Sequence, residues 1–314
     1  MCWLSRLVCA VVAVAGVSVA VGCAGDAAPS QTSFATPTTA GVGSVDTVET
    51  GPPASSPRSS APAPYVTSAP DMLPAATSIA AVTITVLYDN IAASQGTRAD
   101  WGFSCLIRGF EKTVLFDTGA RGDVLLHNME VLGIAPRDIE VVVLSHDHSD
   151  HTGGLAQVVA QNPDVAVYHP ASFARDLVAS ARDAGATLVP VEGTVSPCPK
   201  VTVMAPFGTP QESGLVLETA AGRVLVVGCA HPGVVEMVEA AVESGGGPVV
   251  AVLGGFHLNS HSAEQVDRIA RDLLALGVRQ CGPAHCTGER GIAQLTAAFA
   301  GGAIGMGVGA VVTF

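Results

Sequence analysis

A mostly apolar run at residues 139–144 ends in Ser145-His146-Asp147-His148-Ser149-Asp150-His151, followed at once by Thr152-Gly153-Gly154. Three histidines and two aspartates in six positions constrain the fold more than any other stretch of the chain. The run reads as a buried strand, so the imidazoles are displayed where a strand gives way to a loop. Imidazole and carboxylate are the preferred ligands of zinc and related divalent metals. A solvated charged face seldom uses three histidines at alternating and adjacent spacing.

The other histidines repeat the theme. His231 follows the apolar residues 224–227, His257 follows 249–253 and His285 follows the short run 278–282, each with glycine or proline close by. If these runs are strands of stacked sheets, their ends converge on one rim. Distant parts of the chain can then share a metal. His127, on a predicted helix, and His261, in a polar loop, are expected at the surface. His169 ends a predicted strand before Pro170 and is a candidate for a substrate pocket.

Around these residues, periodicity predicts strands at 82–88, 103–109, 113–116, 139–144, 165–169, 187–191, 201–205, 214–219, 223–227, 249–253, 278–282 and 307–313. Helices are expected at 124–132, 155–160, 173–184, 234–243, 263–276 and 289–300. Strands dominate the start and then alternate with helices in two halves, which suggests two sheets sandwiched between helices.

The first 80 residues have a different character. Residues 7–22 form an uncharged apolar run ending before Cys23, the layout of a secretory signal. It resembles a bacterial lipobox, which implies cleavage before Cys23 and its lipidation. The expectation is a lipoprotein signal at 1–22, a Pro/Ser/Thr/Ala-rich tether at 23–80 and one domain at 81–314. A flexible tether of that length spans roughly 40 Å. The protein is then exported and held on a membrane surface through Cys23. The net charge of −12 and the lack of Lys/Arg clusters argue against nucleic-acid binding. Five cysteines fall in the domain (105, 198, 229, 281 and 286), an odd number that leaves at least one free thiol or metal ligand.

The motif His146-x-His148-x-Asp150-His151, with Phe116-Asp117-Thr118-Gly119 upstream, resembles the signature of the metallo-β-lactamase fold superfamily. Within it the chain is similar to the 7,8-dihydropterin-6-methyl-4-(β-D-ribofuranosyl)-aminobenzene-5′-phosphate synthase-like branch. That likeness rests on Tyr88-Asp89-Asn90, residues 128–134 and 144–155, Gly228-Cys229-Ala230-His231-Pro232-Gly233, Gly254-Gly255-Phe256-His257-Leu258 and His285-Cys286-Thr287-Gly288. The resemblance implies an α/β fold, an αββα sandwich of two mixed sheets flanked by helices.

It also implies one or two divalent metals, zinc foremost, with manganese and iron as alternatives. His146 and His148 are implied ligands of one; Asp150, His151 and His285 of the other; His231 completes the set. Many superfamily members have a bridging aspartate near the position of Cys229, which this chain lacks. That leaves a bridging role open between Cys229 and water. Cys286 reads equally as an apolar neighbour or a ligand.

A divalent metal lowers the pKa of a bound water to about 7. The resulting hydroxide suits attack on a phosphoester, ester or related bond. Asp150 is the candidate catalytic group, able to relay a proton while it ligates. Asp117 is the candidate to orient a ligand imidazole. His257, Asn90 and His169 are candidate substrate contacts, with turn capping the alternative for Asn90. The expected function is therefore a metal-dependent hydrolase or transferase acting on a small molecule. An extracellular phosphodiesterase or lactonase and a non-catalytic metal-binding lipoprotein are the alternatives.

Overall fold

A computed structural model of the protein describes residues 81–314. The expected signal and tether, with Cys23, fall outside the described residues. The chain enters through β1 (Thr83–Tyr88), β2 (Ser104–Arg108) and β3 (Val114–Phe116), which pair antiparallel. Helix α1 (Gly122–Val131) leads to β4 (Val141–Val143). The short α2 (Ser149–Thr152) and α3 (Leu155–Gln161) lead to β5 (Ala166–Pro170), and α4 (Arg175–Asp183) leads to β6 (Thr187–Val191). Strands β3 to β6 run parallel.

The second half begins with β7 (Val195–Cys198), β8 (Val201–Val203), β9 (Leu215–Thr219) and β10 (Gly222–Val227), again antiparallel. Helix α5 (Val234–Glu243), β11 (Val249–Gly255), α6 (Ala263–Ala275), β12 (Gln280–Ala284) and α7 (Gly288–Ala298) follow, with β10, β11 and β12 parallel. Finally β13 (Val311–Thr313) crosses back to pair with β1. The seven-stranded sheet has the order β13-β1-β2-β3-β4-β5-β6, and the six-stranded sheet β12-β11-β10-β9-β8-β7.

The alternation of side chains along each strand sets up the layers. Val141 and Val143 of β4 face the other sheet, as do Val224 and Val226 of β10; they share one core with Phe103, Phe116, Leu217 and Leu253. Val142 faces the opposite way, onto Leu125, Val158 and Val178 of the first set of helices. Leu225 and Val227 pack on Met237, Leu273 and Leu295 of the second set. Strands buried on both faces read as continuous apolar runs. The result is the expected αββα sandwich. Helix α6 starts where the sequence says it should: Ser262 and Gln265 form a reciprocal capping box.

Three expectations change. Strand β7 was not foreseen, because Ser196 and Pro197 break its apolar alternation. Strand β13 begins at Val311, four residues later than the apolar pattern suggests. The six-residue histidine cluster is itself partly helical: α2 starts inside it at Ser149 and ends one residue beyond it at Thr152, four polar residues with no apolar period to announce it.

Candidate metal centre

The C-terminal ends of β3, β4, β10, β11 and β12 deliver Asp117, Ser145-His146, Cys229, His257 and His285 to one rim. The backbone there is strained. Asp117, Ala230, His257 and His285 have φ between +46° and +56°, and of the non-glycine residues described only Lys200 shares that sign. Such conformations cost on the order of 1–3 kcal/mol each and persist only where the surroundings enforce them. Close backbone approach is also required. A side chain at Gly228 would run into Ser145 Oγ, and one at Gly153 into the carbonyl of Ala120.

Six imidazoles form a continuous cluster. The ring of His146 is centred 4.2 Å from His151, 4.6 Å from His148 and 4.8 Å from His231. His148 and His231 are 4.8 Å apart, His231 and His257 4.5 Å, and His151 and His285 5.1 Å. Potential ligand atoms of His146, Cys229 and His231 lie within 4.8 Å of one another, and so do those of His151, Cys229 and His285. Asp150 Oδ2 sits 3.2 Å from His285 Nε2 and 3.8 Å from His151 Nε2. The structure thus brings together His146, His148, Asp150, His151, His231, His257 and His285. It leaves His169 apart, stacked on Phe173 with Nδ1 on the carbonyl of Pro170.

Hydrogen bonding fixes which nitrogen of each ring faces inward. Asp117 Oδ2 accepts from His151 Nδ1 at 2.7 Å and from Ser145 Oγ at 2.8 Å. Having donated its one proton, Ser145 Oγ accepts from His146 Nδ1 at 2.9 Å. Asn90 Oδ1, an acceptor only, accepts a hydrogen bond from His285 Nδ1 at 3.1 Å. All three rings therefore carry hydrogen on Nδ1 and turn a bare Nε2 toward the cluster. His146 Nε2 and His231 Nε2 are buried without a hydrogen-bond partner, and His285 Nε2 faces Asp150 without completing one. A buried, unsatisfied polar atom costs about 1–3 kcal/mol. Several of them converging on one point is the pattern of a metal site, with Asp117 and Asn90 as the outer partners that ligating histidines need.

Electrostatics agree. Burial and the neighbouring imidazoles hold His146 far below the ordinary histidine range, so it stays neutral. Burial and His257 pull His231 down to about 4. Burial opposes charge on His151, but the Asp117 carboxylate outweighs it and raises the ring. Burial would raise Asp150, yet His285 and His151 hold it well below the usual carboxylate range. Neutral His146 and His231 and an ionised Asp150 are the protonation states a cation requires, whereas His151, drawn toward its charged form by Asp117, would release a proton on binding one.

Several participants were not legible in the sequence. Glu212, fully buried, accepts the backbone N–H groups of Gly228, Cys229 and Ala230 on Oε1 and that of His231 on Oε2, all at 2.9–3.0 Å. It shapes the loop carrying Cys229 and His231. Burial raises its pKa against those hydrogen bonds. Trp101 donates from Nε1 to Asp150 Oδ2 at 2.9 Å, and its ring lies 4.8 Å from His285. Asn90 also donates to the carbonyl of His285, so its amide serves that ring as well as the cavity wall. The five cysteines of the domain are unpaired and buried. His127 and His261 are half-buried rather than at the surface: His127 Nε2 meets the carbonyl of Gly96 at 2.9 Å, and His261 lines a cavity with His231 and His257.

That cavity has a volume of about 360 Å³. A larger one of about 670 Å³ lies on the other side, bounded by Asn90, Trp101, Asn259, His285 and Arg290. Trp101, His257 and Asn259 also line a third, of about 290 Å³. The histidine cluster therefore opens onto space sized for a small molecule.

Known proteins share this arrangement of elements. The family model described as the metallo-beta-lactamase superfamily matches residues 102–277. The chain is 30% identical over 237 residues to the 7,8-dihydropterin-6-methyl-4-(beta-D-ribofuranosyl)-aminobenzene-5′-phosphate synthase of Methanocaldococcus jannaschii, covering 60% of this chain and 81% of that one. The crystal structure of a metal-dependent hydrolase of the beta-lactamase superfamily superposes with a TM-score of 0.63 at 25% identity, over 74% of this chain and 98% of its own. YhfI from Bacillus subtilis, a metallo-beta-lactamase fold protein, gives 0.58 at 11% identity over 74% and 100%, a likeness of fold alone.

Proposed function

The chain belongs to the metallo-beta-lactamase superfamily, and on that premise we propose that it is a metal-dependent hydrolase or transferase of the dihydropterin-synthase-like branch. Its target is a phosphoester, ester or related bond in a small molecule. The convergence of bare Nε2 atoms from separate strand ends, each ring oriented from behind, carries this reading. The similarity to the Methanocaldococcus synthase over four fifths of its length supports the branch.

In this proposal His146, His148 and His231 would hold one divalent cation and Asp150, His151 and His285 a second, with zinc, manganese or iron as the candidates. Such a cation would supply Lewis acidity and lower the pKa of a water it binds to about 7. The chain's own groups do the rest. Asp117 and Asn90 keep three imidazoles in register. Asp150, half-buried and tied to Trp101, holds its carboxylate at the centre as an acceptor for a proton. His257, exposed at the mouth with its ring beside His231, is placed to meet a substrate. Trp101 offers a flat apolar face to an aromatic or sugar group entering the larger cavity.

The test is an activity screen of the full chain, loaded with zinc, manganese or iron in turn, across phosphodiesters, lactones and pterin phosphates. Turnover of a phosphate-bearing pterin supports the branch. Metal binding without turnover of any substrate favours a binding protein on the same scaffold.

We also propose that Cys23 carries lipid and that the domain works outside the membrane. The apolar run preceding that cysteine supports this.

A further inference from the structure

We propose that Cys229, as a thiolate, is the ligand shared by the two metals. The inference rests on the metal-centre reading above and adds a bridging group to it. Two separate triplets of potential ligands can be drawn within 4.8 Å, one with His146 and His231, the other with His151 and His285, and Cys229 belongs to both. Its Sγ lies 3.1 Å from His151 Nε2. The residue is buried. It stands directly after β10 and its backbone N–H is pinned by Glu212 at 2.9 Å, so the sulfur's position is set by the sheet rather than by a mobile loop.

An ordinary buried cysteine is a small apolar filler. Its neighbours would then be carbon. Here they include imidazole nitrogens, two of which, His146 Nε2 and His231 Nε2, lack any hydrogen-bond partner. No aspartate occupies residues 224–233, so among the residues of this segment only the sulfur can join both triplets. Thiolate is an accepted ligand of zinc and iron beside imidazole. On binding, the Cys229 thiol loses its proton to solvent and two metal–sulfur bonds form, with no change in oxidation state.

Cys286 is the competing assignment, since Cys229, His257 and Cys286 form a third compact set. Its sulfur accepts from His257 N at 3.3 Å and belongs to neither of the two sets that contain a pair of histidines, whereas Cys229 belongs to both, so the bridge falls to Cys229.

The experiment is to load the purified full chain with cobalt(II) and record stoichiometry together with the sulfur-to-cobalt charge-transfer absorption in the near ultraviolet. X-ray absorption of the zinc form gives metal–sulfur distances, expected near about 2.3 Å. The wild type should show the band; Cys286→Ser should retain it. Cys229→Asp should lose it yet keep both metals, because a carboxylate can bridge in place of the sulfur and the loop need not refold. Cobalt bound without a charge-transfer band, a band that survives Cys229→Asp, or sulfur at about 2.3 Å from only one of two bound zinc ions overturns the bridge and leaves the metal centre standing. A chain that binds no cobalt overturns both.

Discussion

Asp117 Oδ2 lies 2.7 Å from His151 Nδ1, and both groups are fully buried. The same oxygen also accepts from Ser145 Oγ, which in turn receives His146 Nδ1. One carboxylate thus orients two imidazoles of the segment that follows β4, His151 directly and His146 through Ser145. Replacing it should loosen both rings together. Asp117→Asn is the cleaner variant, because asparagine tolerates the left-handed backbone found there. Metal affinity should fall about 10–100-fold, measured by chelator competition. Unchanged affinity would mean that Asp117 supports only the fold.

Glu212 makes the corresponding prediction for the opposite sheet. Its two oxygens accept four backbone N–H groups. Glu212→Gln turns an amide donor toward one of those donors. The loss of a hydrogen bond to a buried loop costs about 1–3 kcal/mol. Chemical denaturation of the metal-free chain should show that loss, and metal affinity should fall with it. Equal stability of variant and wild type would remove Glu212 from the account.

How much of this was visible in the sequence follows from where the signals are local. The apolar run before His146 is local, and it announced both the strand β4 and the end at which the histidines emerge. His231 and His257 were legible for the same reason, each close behind an apolar run, and His285 because it follows a short predicted strand. Glu212 and Trp101 were not, because neither has a neighbour in sequence that explains it. Glu212 acts through backbone of residues 228–231, and Trp101 reaches Asp150 across 49 positions. Asn90 was flagged as a substrate contact, but its partner His285 lies 195 positions away. The placement of Cys229 between two histidine groups is likewise a product of two sheets meeting, which no single segment records.

Trp101 is half-exposed, at 51%, and hydrogen-bonds to the carboxylate at the centre of the cluster. Trp101→Phe keeps an aromatic face and removes the donor. The variant should bind metal as the wild type does, while kcat falls and KM changes little. Adding zinc should also alter the tryptophan fluorescence of the wild type and not that of the variant. A fluorescence response that persists in Trp101→Phe would place the perturbed tryptophan elsewhere.

The proposed anchor at Cys23 predicts that Cys23→Ala releases the protein from membranes. Cell fractionation with detection of the chain decides it. Continued membrane association of the variant would favour the apolar run itself as an anchor.

The most direct test of the central claim is elemental analysis of the purified full chain beside the double variant His146→Ala/His148→Ala. The account predicts stoichiometric zinc, manganese or iron in the wild type and loss of at least one metal from the variant, with the fold retained by circular dichroism. Metal content that is unchanged by removing both imidazoles, or absent from the wild type after reconstitution, would contradict it.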